Sequence, residues 1–443
     1  MINKVIKYFS IIFILILLIN PIALSTFTDV NYQKNILILL NEQTTTTIID
    51  EKIVQAIEMV NETMIKQYLE ELVINGPRKT GTYGCEQAAE FIYNQFQEMG
   101  LETRYQYWET RMNRFPYKLY KSQNVEGIHK NNNTTNKEVL IFNAHYDTVK
   151  VSPGANDDGS GVAAVLTAAY VLSKFEFNRT IKFVTFSGEE VGLLGSKNYV
   201  KEIYEKNEDI LVEFNADMIG YAETAEGGKN VALSSTEDAQ WMIDEIKNLN
   251  QNYNINFNIK TGWKINAGGP RSGSDYYDFV LYGYEAIAFW EDEYNRNYFH
   301  TPDDTIDHIN FSYLANITKL IVGSLAYLAD FEVIYPRIKI VTPKRGRLYF
   351  EDRTIKKFLF DKIKVFDDVL IHTKVKQGDS PISFVEFYYN GRKVFNDTEP
   401  PYQFRLNRYS IRKHRVRVVV YDEKGRSASD EIKFYFFNII KKR

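Results

Sequence analysis

From residue 138 to residue 331 this chain alternates near-continuous apolar runs of strand length with helical patterns. Residues 138–144, 180–186, 210–216 and 285–290 read as strands. Residues 161–173, 190–205, 237–248 and 312–331 read as helices. Strands with no polar alternation must be buried on both faces, which requires a sheet covered by helices on each side. The expected fold is therefore a three-layer α/β/α arrangement around a mixed, mostly parallel sheet. Ligands of such sheets sit outside the carboxyl ends of the strands. The first run ends in His145 and Asp147, two polar groups that are costly to bury there.

Other segments frame this core. Residues 1–25 carry Lys4 and Lys7, an apolar run too short for a membrane span, Pro21 and small residues up to Ser25. They read as a secretory signal or signal anchor, and the expected location is secreted or cell-surface. No later stretch reads as membrane-spanning. Asn-x-Ser/Thr triplets such as those at Asn61, Asn132, Asn133 and Asn310 agree weakly with export. Residues 26–75 have helical periodicity from 49 to 72 and are expected to pack on the α/β domain, 76–335. Cys85 is the single cysteine, so an internal disulfide is excluded and a buried small side chain is expected. Beyond Pro336 the texture changes to about seven short β-patterned runs with an Asn390-Gly391 turn, which suggests a β-sandwich over 336–438. From Pro336 to residue 443 the chain holds 26 Lys and Arg against 13 Asp and Glu. That balance fits contact with an anionic cell envelope or glycan, or docking on an acidic neighbour. The whole chain has net charge −3, which gives no general case for nucleic acid.

Four more polar insertions fall at or after strand ends. They bring Asp157 and Asp158 in SPGANDDGSG, Glu189 and Glu190 in TFSGEEVGLLGS, Asp217 in EFNADMIGY and His300 in NYFHTPDDTID. No Lys or Arg accompanies the carboxylates in these loops. Buried together they would repel and take up protons unless cations compensated them. Two histidines and three carboxylates suit two Zn2+, with one carboxylate bridging. Three carboxylates and one hydroxide then balance the +4 of the ions. Glu189, a spare carboxylate beside Glu190, is placed to act as general base. Asp158 reads as the cap of the following helix, and Asp303 and Asp304 as turn and cap residues.

These stretches resemble the co-catalytic zinc aminopeptidases, the twenty-eighth metallopeptidase family, over roughly residues 75–333. The resemblance implies that His145, Asp157 and Asp217 hold one zinc, and Asp157, Glu190 and His300 the other. It implies that Glu189 is the base and that Asp147 orients His145, since a ligating imidazole usually donates its second N–H to a carboxylate. It also implies a cis peptide at Asp157–Asp158. Some relatives have a tyrosine before the last histidine. This chain has Phe299 there, which leaves Tyr276, Tyr277 and Tyr298 as weaker candidates for that role. Ser274 and Asp275 are expected to shape the site, and Arg271 to contact substrate. The implied activity is aminopeptidase action on peptides with a free N-terminus. The same fold accommodates a glutaminyl cyclase, which tends to use one zinc, or a carboxypeptidase for acidic dipeptides, which would need a basic pocket. Intact His145 and Asp217 favour hydrolysis. A binding protein that had lost catalysis would have lost ligands that this chain retains. The β-region resembles immunoglobulin-like modules of exported bacterial enzymes.

Overall fold

A computed structural model of the protein describes residues 49–111, 117–131, 136–265, 273–357 and 362–438. The signal segment 1–25, the triplets at Asn132 and Asn133, and Arg271 lie outside the described residues.

The apolar strands form the centre of an eight-stranded sheet in the order β1-β2-β4-β3-β5-β8-β6-β7. Its members are β1 (Glu102–Arg111), β2 (Leu119–His129), β3 (Glu138–His145), β4 (Thr180–Phe186), β5 (Asp209–Ala216), β6 (Asn230–Ser235), β7 (Asn258–Lys264) and β8 (Ala286–Glu291). The four central strands, β4-β3-β5-β8, run parallel. β2 joins β4, and β6 joins β8, antiparallel. Every residue of β3 is buried, as its near-continuous apolar pattern requires. β1, β2, β6 and β7 are additions to the four strands that the apolar runs announce. β1, ETRYQYWETR, alternates exposed and buried positions at the sheet edge and lacks a continuous apolar run.

Helices cover the faces: α1 (Glu51–Met59), α2 (Glu62–Val73), α3 (Tyr83–Glu98), α4 (Gly159–Leu172), α5 (Leu194–Glu205), α6 (Gln240–Asn252), α7 (Tyr276–Leu281) and α8 (Phe311–Asp330). The single helical pattern over 49–72 breaks into α1 and α2 because Asn61 caps the second, its side chain accepting from Met64 N at 3.0 Å. Ile53, Ile57, Leu69 and Leu72 join the main core, so both helices pack on the sheet domain. Asn310 likewise caps α8, accepting from Tyr313 N at 3.0 Å. α8 is long and apolar enough to cross a membrane by composition, yet most of it is buried in the core. Cys85 is buried in the same core, and burial pushes its thiol up to about 12. α5 begins at Leu194, four residues later than the helical pattern, because Gly188, Gly192 and Leu193 adopt positive φ. Glu189 and Glu190 therefore stand in a turn just beyond the carboxyl end of β4.

After Pro336, a seven-stranded and a three-stranded sheet close over a second core containing Ile371, Phe387, Val418 and Phe434. The strands used below are β9 (Arg337–Thr342), β12 (Ile363–Phe366), β13 (Val369–Lys376), β17 (Ser410–Asp422) and β18 (Ser427–Asn438). Ten strands are present among the described residues, from β9 to β18, where the pattern suggested seven. The seven-stranded sheet includes parallel β12/β18 pairing. Asn390 and Gly391 both have positive φ, as a two-residue hairpin turn needs.

The basic β-region docks on the amino ends of the four central strands. Arg179, just before β4, donates to Glu138 of β3 at 2.8 Å. Arg337 and Lys376 of the β-region meet the same carboxylate, and Lys376 also pairs with Asp209 of β5. Lys339 lies 3.4 Å from the centre of the Tyr284 ring. Asp238 accepts from Ser429 N at 2.8 Å. A cavity of about 140 Å³ remains in this seam, bordered by Asp238, Glu285 and Lys339.

Candidate active site

The carboxyl ends of the same strands gather the polar residues that the sequence singles out. His145 ends β3 and is almost fully buried. Its Nε2 stands 3.2 Å from Asp157 Oδ1 and 3.8 Å from Asp217 Oδ1. His300, with φ 59°, brings its Nε2 to 3.1 Å from both Asp157 Oδ2 and Glu190 Oε2. The two oxygens of Asp157 thus face different imidazoles.

These spacings test whether metal ions fit. Bonds of about 2.0 Å to a tetrahedral ion put neighbouring donor atoms about 3.3 Å apart. Three of the four separations fall within 0.2 Å of that value, and the fourth is 3.8 Å. Asp157 Oδ2 and Glu190 Oε1 are buried without a well-formed hydrogen bond, as atoms reserved for another partner would be. One ligand atom each from Asp157, Glu190 and His300 lies within 4.8 Å of the others, and the same holds for His145, Asp158 and Asp217. Asp158 is otherwise engaged. Its oxygens accept from the backbone N–H of Gly161, Met218 and His145 at 2.9, 3.2 and 3.1 Å, so it caps α4 and pins β3. Asp157 is the freer donor toward His145. The residues fit a pair of divalent ions sharing Asp157.

The electrostatics agree. Burial opposes a charged His145, but Asp157 and Asp217 outweigh it and hold the imidazole well above its ordinary value. Burial opposes a charged His300 as well, and Asp157 and Glu190 raise it to about 10. Burial likewise opposes ionised Asp157, and the two imidazoles hold it down at about 2. A cage of this kind retains cations. Burial lifts the Glu189 carboxyl well above the usual range, with Asp275, Asp217 and Asp147 adding to the effect.

Asp147 acts differently from expectation. The Nδ1–H of His145 donates to the backbone carbonyl of Asp147 at 3.0 Å, and the Asp147 carboxylate is 3.7 Å away. A carbonyl only accepts, so Nδ1 carries the proton and Nε2 keeps its lone pair toward the cage. The carboxylate accepts instead from Thr80 Oγ1 at 2.5 Å and Glu189 N at 3.1 Å. It therefore ties the Glu189 turn to β3.

Sequence reasoning missed the scaffold behind these groups. Arg78 is fully buried, and its guanidinium donates to three carbonyls: Tyr146 at 2.7 Å, Pro153 at 2.6 Å and Gly154 at 2.9 Å. Its own N–H donates to Thr148 Oγ1 at 2.9 Å. Gly154 has φ +65°, and a Cβ there would meet Thr148 Cγ2 at 2.3 Å and Asp157 O at 2.6 Å, so only glycine suits. Asp304, beyond a simple turn role, accepts from Asn156 N at 2.8 Å and Asp157 N at 3.1 Å. Asn156 links onward to Glu291 at the end of β8 and to Gly220 N after Asp217. The Asp157–Asp158 peptide is cis, as the resemblance implied.

Ser274 and Asp275 are buried beside the cage, and burial pushes the Asp275 carboxyl to about 7. Tyr298 stacks on His308 at 3.6 Å, and Tyr276 meets Trp290 edge-on at 6.3 Å. A further ring, Tyr294, lies 5.5 Å from Phe299, which stacks on His300 at 3.7 Å. Burial and the charges of Asp157 and Asp217 raise the Tyr294 hydroxyl, so it is a proton donor near neutral pH.

Comparison with known proteins agrees with this architecture. Residues 124–325 match the profile of Peptidase family M28. Aminopeptidase YwaD of Bacillus subtilis is 33% identical over 238 residues, covering 51% of this chain and 47% of that protein. The chain spans about half the length of the curated relatives it matches. Among solved structures, a zinc aminopeptidase from Bacillus subtilis superposes with a TM-score of 0.54 at 19% identity, over 61% of this chain and 96% of that one. A glutaminyl cyclase from Fimbriiglobus ruber gives 0.52 at 17% identity, over 60% and 95%. The profile match, spanning the strand ends from His145 to Asp217 and His300, and the shared fold make residues 124–325 similar to a domain of peptidase family M28.

Proposed function

We propose that the chain is an exported, metal-dependent aminopeptidase that removes N-terminal residues from peptides. The observation that carries this reading is the divided cage: Asp157 between two imidazoles, with Asp217 and Glu190 completing each side and Glu189 adjacent. His145, Asp157 and Asp217 would hold one Zn2+, and Asp157, Glu190 and His300 a second. Bound there, such ions polarise the scissile carbonyl and lower the pKa of water. Glu189 takes the proton of the attacking water on its carboxylate and returns it to the leaving amine. Burial raises its proton affinity, which suits a group that must hold the proton between the two transfers. Asp147 fixes the backbone of Glu189 and, through its carbonyl, the tautomer of His145. A substrate's free α-ammonium suits this carboxylate-rich wall, which favours the amino end of a peptide over its carboxylate end. Export is supported by Lys4, Lys7 and the apolar run that follows them.

The test is metal content together with release of p-nitroaniline from aminoacyl-p-nitroanilides, comparing wild type with Glu189→Gln. Two zinc ions per chain in both proteins, and activity lost by a factor of about 10³ or more in the variant, are expected. One zinc with cyclisation of N-terminal Gln would establish the cyclase reading instead. A chain that binds no metal would refute the enzyme reading.

A further inference from the structure

The basic residues of the β-region divide into two sets. Arg337, Lys339 and Lys376 are used up in the seam with the peptidase domain. A second set lies on the outer face of the seven-stranded sheet, where β12, β18 and β17 are neighbours. Register sorts that face into three rows. Phe366, Phe437 and Ile411 form an apolar row. Lys364, Tyr435 and Lys413 form a mixed row. Lys433 and Arg415 face each other in a basic row. Phe366 is 40% exposed and Ile411 62%, and the Phe366 and Phe437 rings stack at 5.0 Å.

This arrangement costs the fold stability. Like charges directly opposite one another across a sheet repel, and exposed apolar side chains gain nothing from burial. Glu431 compensates the Lys433 and Arg415 pair only in part, at 3.7 and 3.5 Å. Lys413 has no ion pair among the described residues.

We infer that this face is a docking surface for an anionic polysaccharide. Sugar rings offer apolar C–H faces beside carboxylate or phosphate groups in one repeat. A ring flanked by two lysines, Lys364–Tyr435–Lys413, complements that alternation, with the apolar and basic rows to either side. An open sheet face gives no groove to track a nucleic-acid backbone. Membrane insertion needs a broad apolar surface projecting beyond the cations, whereas only Phe366 and Ile411 of this apolar row are exposed and Phe437 between them is partly covered. The inference does not depend on the peptidase reading.

The experiment is binding of the full chain to polygalacturonate, against neutral dextran, vesicles of phosphatidylglycerol and phosphatidylcholine, and single-stranded oligothymidylate. Saturable binding to polygalacturonate is expected, weakened about tenfold or more by Lys413→Glu with Lys433→Glu and several-fold by Phe366→Ala with Ile411→Ala. Both double variants replace exposed side chains, and an unchanged melting temperature certifies their folding. Equal or tighter binding to vesicles or oligothymidylate, no binding to polygalacturonate, or well-folded variants that bind like wild type would each overturn the inference.

Discussion

Arg78 is the sharpest test of how the site is held. Its guanidinium serves the carbonyls of Tyr146, Pro153 and Gly154, so it joins the end of β3 to the loop that carries Asp157. It also places a positive charge near Asp147, Asp158 and Asp304. Arg78→Met removes that charge and leaves three buried carbonyls without donors. Hydrogen bonds to a charged group contribute about 1.5–3 kcal/mol each, and losing one partner of a buried charged network costs about 3–5 kcal/mol. The loss is not additive, so about 3–5 kcal/mol is expected for the whole change. That corresponds to a fall in melting temperature of roughly 6–20 °C for a domain of this size. Arg78→Lys keeps the charge but not the planar fork, and one ammonium cannot reach all three carbonyls, so about half the loss should remain. Thermal melting and zinc titration of both variants are the assays, because a displaced Asp157 weakens metal retention as well as stability. If both variants lay within about 1 kcal/mol of wild type and bound zinc equally well, the clamp reasoning would be wrong.

Asp304→Asn replaces one of two oxygens that accept from Asn156 N and Asp157 N with an N–H2 that cannot accept; about 1–3 kcal/mol of stability should be lost, with weaker zinc binding read by competition with a chelator. Tyr294→Phe should lower kcat about tenfold or more if its hydroxyl assists the reaction, while Tyr298→Phe, whose ring is packed on His308, should stay within about twofold; equal effects in steady-state assays would dismiss Tyr294. The seam should weaken from pH 5 to pH 8. Burial raises Glu285 to about 8 and Asp238 to about 6, so both bind protons more tightly folded than unfolded, and stability falls as pH rises toward those values. Burial lowers Lys339 to about 8, so its contribution is lost as pH falls from the unfolded value to about 8 and is constant below that. Between pH 5 and 8 only the carboxyl effect acts, and a melting temperature that rose across this window would contradict it.

The polar cage was legible because each of its side chains interrupts or follows an apolar strand, and a parallel sheet brings strand ends together whatever the loops do. His145, Asp217 and the Asp157 loop declare themselves in this way. Arg78, Asp304 and Asn156 do not, since they act on backbone carbonyls and amides far away in the chain. Such partners are set by how loops close, and an isolated Arg or Asp near a glycine reads as a turn. Asp147 shows a finer failure: the sequence located it, but the carbonyl rather than the carboxylate holds the imidazole. The outer strands β1, β2, β6 and β7 escaped because polar residues break their pattern, by exposure in β1 and β2 and by the buried Asn230, Ser234 and Ser235 in β6, so they lack the near-continuous apolar signature that marks β3. Glu190 was drawn into a helix by periodicity, and only the positive φ angles of Gly188, Gly192 and Leu193 delay that helix.

The β-region grips Glu138, Asp209 and Glu285, at the starts of the central strands, while His145 and Asp217 follow from their ends. The eight residues of β3 at about 3.3 Å each put roughly 25 Å of rigid sheet between the two. A load applied through the outer sheet would enter the peptidase domain through these contacts at the strand starts. The cage lies at the opposite ends of those strands, with His300 40% exposed, so a chain held through its outer sheet would leave that side uncovered.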